Sequence, residues 1–190
     1  MKGALDVHRE LLARDVPHEV VRLRGTAATS ADDLPRALGV DAADCVAVRC
    51  YTTDLGPLAA MVCAGVLPEP QALLDAVGAR TLRPATADEV NAATDFAAAL
   101  VSPVCLPAEV LLVADAALTA REVVYCPLGE AGVALGIRTA DLLQATGARV
   151  AALSALPLPP AGPEPWSGGA RVIDLDRRGD ARTQRRRSAS

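Results

Sequence analysis

Few residues of this 190-residue chain have the type and spacing to act on a substrate. Its only histidines, His8 and His18, are expected to be ordinary, partly exposed side chains. The five cysteines, at 45, 50, 63, 105 and 126, contain no C-x-x-C pair, so local spacing assembles no Cys/His metal cluster. No G-x-G-x-x-G, phosphate-loop, G-x-S-x-G or H-E-x-x-H pattern occurs. Lys2 is the sole lysine, which leaves none for a mechanism inside the fold. Two places remain. In the run Cys45–Thr52, Ala47, Arg49 and Tyr51 share one face of a strand, and Val46, Val48 and Cys50 share the other. Cys50 reads as a small core hydrophobe. Arg49 is either a solvated surface residue or an anion-recognition group, because guanidinium suits phosphate and carboxylate. The second place is the proline-bracketed loop Ser102-Pro103-Val104-Cys105, whose thiol would react only if something lowered its pKa.

The elements that must position these residues are legible from their ends. Leu38-Gly39-Val40, Val77-Gly78-Ala79 and Thr146-Gly147-Ala148 each close an amphipathic run with a glycine suited to the left-handed cap. Ser30, Thr86 and Thr139 supply oxygen caps at the starts, with Glu89 at capping-box spacing from Thr86. Helices are thus predicted near 4–14, 30–38, 70–77, 86–94 and 139–146. Strands are predicted at His18–Leu23, Cys45–Thr52, Leu58–Ala64, Val110–Ala114, Glu122–Cys126, Gly132–Ile137 and Arg149–Leu153. Hairpin turns at Thr53–Gly56 and Pro127–Glu130, interspersed with helices, predict an α/β (α+β-like) domain with a mixed, curved sheet surrounded by helices.

Charge sets the expected boundary. Residues 1–154 carry twelve basic and nineteen acidic side chains, whereas 155–190 carry seven arginines and four acids. The second segment opens LPLPPAGPEPWSGG, so 1–154 is expected to fold and 155–190 to be a mostly disordered tail, with room for a short strand at Ala170–Leu175. A 51% hydrophobic composition excludes wholesale disorder, and a net charge of −4 excludes a bulk-basic nucleic-acid binder. With only four aromatic residues, the core must be aliphatic. No run suits a membrane span, and no apolar leader precedes the first helix, so a cytoplasmic protein with reduced thiols is expected.

In order and spacing, the segments LLARDVPHEVVRL (11–23), RALGV (36–40), DCVAVRCYT (44–52), LLDAVGARTLRPATADEV (73–90), TDFAAALVSP (94–103) and VVYCPLGEAGVALGIRTADLLQATGARVAALS (123–154) resemble the YbaK/prolyl-tRNA-editing family of aminoacyl-tRNA deacylases. The resemblance implies a single α/β domain that hydrolyses the ester of mischarged tRNA or acts as an editing insertion in a synthetase. The family's usual lysine falls on Ala47, and its G-x-x-x-P loop falls on Ala99–Pro103. Ser102 and Pro103 are kept, but Ala99 and Leu100 stand in the glycine places, which narrows backbone approach to a substrate carbonyl. Arg49, about 6.6 Å further along the same face, is the stand-in for the lysine.

The expected function is therefore trans-editing: deacylation of mischarged tRNA without metal or organic cofactor. Its pocket would be formed by the 24–29 loop with Thr26, strand residues Ala47, Arg49 and Tyr51, the 99–105 loop with Ala99 and Pro103, and the 128–132 turn with Gly129. Arg49 would hold phosphate or ribose, and the backbone amides of Val101 and Ser102 would stabilise the oxyanion. The expected partner is the aminoacylated 3′ end of tRNA, with a synthetase or other translation protein beside it and no membrane. The arginine-rich tail would either add RNA affinity or be a solubilising disordered end. Two alternatives stand beside this: a non-catalytic relative binding a small aminoacyl or carboxylate ligand, and a protein-interaction module.

Overall fold

The computed structural model describes residues 1–23, 28–154 and 171–174. The first helix, α1 (Ala4–Ala13), buries Val7 and Leu11, one turn apart, and starts where Asp6 accepts the Gly3 N–H at 2.9 Å. Helices α2 (Leu34–Leu38), α3 (Pro70–Val77) and α5 (Thr139–Thr146) end at Gly39, Gly78 and Gly147, all left-handed. Helix α4 (Ala87–Thr94) has the anticipated capping box: Glu89 N donates to the Thr86 hydroxyl at 3.3 Å, and Thr86 N to the Glu89 carboxylate at 2.9 Å.

The strands are β1 (His18–Arg22), β2 (Val46–Thr53), β3 (Gly56–Cys63), β4 (Leu82–Pro84), β5 (Leu111–Asp115), β6 (Val123–Pro127), β7 (Val133–Arg138), β8 (Arg149–Ala151) and β9 (Arg171–Asp174). They form two mixed sheets, ordered β6-β7-β1-β9 and β4-β2-β3-β5-β8. An isolated parallel bridge between Cys45 and Tyr125 links the sheets, so the mixed α/β architecture expected from sequence is present as two sheets. The hairpin β2–β3 turns where the Thr53 hydroxyl donates to Gly56 O at 2.8 Å and accepts from Leu55 N at 3.1 Å. Strand β4 was not anticipated. Its three residues carry no alternation to read, and Pro84 is tolerated because β4 is an edge. Strand β9 matches the short run expected at Ala170–Leu175 and pairs parallel with β1. The rest of the expected tail lies outside the described residues.

The core is aliphatic, with Phe96 its one wholly buried aromatic among the described residues. Val46 and Val48 face a cluster containing Leu11, Met61, Phe96, Val101, Val104 and Leu128. The opposite face of the β2–β3 hairpin packs Leu58, Ala60 and Val62 against Leu73 of α3, with Tyr51 at its margin. Cys45, just before β2, joins a third cluster with Leu34, Ala28 and Ala134.

The histidine expectation needs correcting. His18 is wholly buried, and its Nε2 lies 2.8 Å from His8 Nδ1. His18 Nδ1 lies 2.8 Å from the Val16 carbonyl, which can only accept, so Nδ1 carries the proton and Nε2 accepts from His8. Helix α1 and strand β1 are joined through this pair.

Candidate functional site

The 96–105 segment is built around a buried turn. A short 3-10 turn (Ala98–Leu100) leads into Val101, Ser102, Pro103 and Val104, all buried, while Ala99 stays exposed. The Ser102 hydroxyl is buried and accepts from Val104 N at 3.3 Å, so it stabilises the turn, and no side-chain base among the described residues bonds to it to make it a nucleophile. Among the described residues, neither the Val101 nor the Ser102 N–H donates to another protein group. Buried amides are almost always paired, so two consecutive ones without an acceptor among the described residues form a place where an added acceptor would be stabilised.

Gly129 brings the 128–132 turn onto this segment. Its N–H donates to Leu100 O at 2.9 Å, so the residue standing in one glycine place contributes its carbonyl to the turn. At φ +84°, a Cβ on Gly129 would meet Phe96 Cδ1 at 2.6 Å and Lys2 O at 2.7 Å. Only glycine allows that approach. Cys105 follows at φ +64°, a left-handed conformation costly for a residue with a Cβ. Its half-buried thiol is pushed up by burial and by Glu10, against the pull of Lys2 and Arg14, so it is no activated nucleophile. Burial likewise raises Cys50 to about 11 and Cys45 to about 12.

Arg49, expected to hold phosphate or ribose, is engaged within the protein. Its Nη2 lies 2.7 Å from Asp32 Oδ1, and its Nε donates to Val66 O at 3.4 Å. The same Asp32 oxygen accepts from Gly65 N at 2.8 Å. Burial pushes the Asp32 carboxyl up, but Arg49 and the Gly65 N–H outweigh it and hold the group below its ordinary value. Arg49 thus ties the 31–33 turn to the link between β3 and α3. Alternation also sets it apart from the buried turn, because Val101 and Val104 join the core beneath Val46 and Val48, the other side of β2.

Of the expected site residues, Val101, Ser102, Ala99, Pro103 and Gly129 are brought together by the Leu100–Gly129 bond. Arg49, Tyr51 and Ala47 form a separate group on β2. Ala47 is wholly buried, and burial raises the half-buried Tyr51 hydroxyl despite Arg49 beside it. Thr26 lies outside the described residues. The residue that sequence reasoning passed over is Lys2, whose Nζ donates to Cys105 O at 2.7 Å. A cleft of about 900 Å³ opens beside it, between α1, the 103–112 segment and the end of α5. An apolar hollow of about 390 Å³ lies on the Cys50 side of β2, lined by Pro57, Ala85 and Val90 among others. The described residues contain no group of three or more His, Cys, Asp or Glu side chains able to share a metal ion, and no helix long and apolar enough to cross a membrane.

The fold recurs in solved structures. A hypothetical protein designated APE2540 is 25% identical, superposes with a TM-score of 0.71, and the match covers 77% of this chain and 97% of that one. A candidate trans-editing enzyme for prolyl tRNA synthetase is 26% identical at a TM-score of 0.71, over 80% of this chain and 97% of its own. A candidate signal transduction protein from Marinobacter aquaeolei VT8, 20% identical with a TM-score of 0.57, covers 78% of this chain and 30% of its own, and shares the fold alone. No curated protein sequence matches the chain. The family model of the aminoacyl-tRNA editing domain matches residues 26–145, more than half of the chain and spanning both the Arg49 strand and the Ser102 turn. The chain belongs to the aminoacyl-tRNA editing domain family.

Proposed function

We propose that this chain is a trans-editing deacylase that hydrolyses the ester between a wrong amino acid and the terminal ribose of tRNA. The observation that carries the reading is the buried turn at Val101–Ser102, whose two amide N–H groups have no protein acceptor among the described residues. In the proposed reaction, water adds to the ester carbonyl and the carbonyl oxygen becomes an oxyanion between those amides. The bond from carbonyl carbon to ribose oxygen then breaks. The ribose oxygen takes the proton released by the water, and the amino acid leaves. The neighbouring ribose hydroxyl orients the water, so the chain needs no side-chain base at this point. Membership of the editing family and the resemblance to a candidate trans-editing enzyme support this chemistry.

A second reading, a protein that binds an aminoacyl or carboxylate ligand without turning it over, is favoured by one observation. The cation expected to clamp the tRNA terminus is already engaged by Asp32. A panel of mischarged tRNAs, incubated with the chain at catalytic concentration, separates the two. Release of amino acid from any member supports the deacylase, and a flat panel with measurable aminoacyl-tRNA affinity supports the binding protein.

A further inference from the structure

Lys2 touches the segments on each side of the buried turn. Its Nζ donates to Cys105 O at 2.7 Å and stands 5.6 Å from the Phe96 ring centroid. Its own N–H donates to Asp95 O at 2.6 Å, and its carbonyl occupies the space against Gly129 where a Cβ would fall. Two residues on, Ala4 N donates to Glu130 at 2.6 Å. One residue therefore joins 95–96, 105 and 129, the three points that bracket Val101–Ser102.

The bond to Cys105 bears on catalysis because of where strain is held. The left-handed Cys105 is a strained conformation that persists where its surroundings hold it, and its carbonyl accepts from a charged donor, the stronger kind of hydrogen bond. Phe96, buried under the same ammonium, adds a cation–π contact to the other end of the turn. We propose that Lys2 is a positioning residue of the Val101–Ser102 turn, holding its two amides in the geometry that receives the oxyanion. It does not touch the ester. The proposal rests on the deacylase reading for its catalytic consequence and on the contacts above for its structural one.

The test compares wild type, Lys2→Met and Lys2→Arg by hydrogen exchange and by steady-state deacylation on the most responsive mischarged tRNA. Lys2→Met should speed exchange at 100–105 while strands β3 and β5 keep their protection. It should lower kcat about tenfold or more with little change in KM, because an oxyanion contact acts in the transition state. Lys2→Arg, which keeps a donor and a cation over Phe96, should recover most of both losses. Equal exchange at 100–105 in wild type and Lys2→Met overturns the proposal, whatever the activity. Faster exchange with unchanged kcat also overturns it, since the turn would then not be held for catalysis. If wild type deacylates no tRNA, the deacylase reading fails by itself, and the exchange comparison alone decides whether Lys2 holds the turn.

Discussion

Replacing Arg49 with alanine removes one partner of an ion pair and leaves Asp32 with the Gly65 N–H as its remaining contact to β3's end. The side chains are 23% and 43% exposed, so solvent screening holds the pair to about 0.2–1 kcal/mol. The Nε–Val66 bond, at 3.4 Å, adds little. A coupling energy of about 1 kcal/mol is therefore expected, worth roughly 2–4 °C in the thermal midpoint of a chain this size. The coupling must also depend on pH. Asp32 is depressed on folding, so the unfolded chain binds its proton more readily. Its contribution is complete above the unfolded value near ~3.9 and is lost as pH falls through the lower folded value. Urea denaturation of wild type, Arg49→Ala, Asp32→Asn and the double variant should give non-additive losses at neutral pH that converge in acid. Additive single effects at neutral pH, or a coupling that survives full protonation of Asp32, would refute the reasoning. The same four proteins test the binding role. If Arg49 clamps the tRNA terminus, Arg49→Ala should weaken aminoacyl-tRNA binding or turnover by ~1.5–3 kcal/mol beyond its stability cost, and Asp32→Asn should strengthen it by releasing the guanidinium.

Gly129→Ala should destabilise by about 2–5 kcal/mol, the sum of a left-handed residue with a Cβ and overpacking against Phe96 and Lys2, so a loss below ~1 kcal/mol in denaturant titration would contradict the close approach. Burial holds the His18 pKa down, offset in part by the Val16 carbonyl and reinforced by His8, so the unfolded chain binds the extra proton. Stability should be full above the ordinary histidine value near ~6.5 and decline as pH falls below it, and His18→Gln should flatten that slope. Cutting after Ser154 removes β9, whose few ladder bonds, at about 0.5–1.5 kcal/mol each, are nearly offset by ordering four residues at ~1–2 kcal/mol each. The midpoint should move by only a few degrees while β1 becomes an exposed edge and aggregation rises; a collapsed domain would show that β9 is required.

Helix ends were legible because they are local: an oxygen cap, a glycine and the next apolar residue lie within one turn, as in Thr86–Glu89 and Leu38–Val40. The faces of β2 were legible for the same reason, since alternation puts Val46 and Val48 opposite Arg49 without help from the rest of the fold. What alternation does not tell is which element covers each face. The partner of Arg49 is Asp32, seventeen positions away, and nothing in the spacing of the two marks them as a pair. Lys2 reaches Cys105 across 103 positions, a contact no spacing rule encodes. The His8–His18 bond depends on how α1 docks on β1, which the amphipathic pattern of α1 constrains only to the Val7–Leu11 side.

The two faces of β2 limit what one pocket can do. The Val101–Ser102 amides belong with the core beneath Val46 and Val48, and Arg49 belongs with Asp32 and Val66 on the other side. A tRNA terminus with its ester carbonyl on those amides reaches Arg49 only around an end of the strand, through its ribose or phosphate. Contacts to groups distant from the reacting carbonyl act on ground state and transition state alike, whereas oxyanion contacts act on the transition state alone. The two groups of residues must then separate in kinetics. On the deacylase reading, Arg49 variants should shift KM at constant kcat if Arg49 binds the terminus, and variants that loosen the turn, at Lys2 or Gly129, should lower kcat at constant KM. A variant at Arg49 that lowers kcat alone would place the guanidinium at the ester and return the oxyanion role to β2.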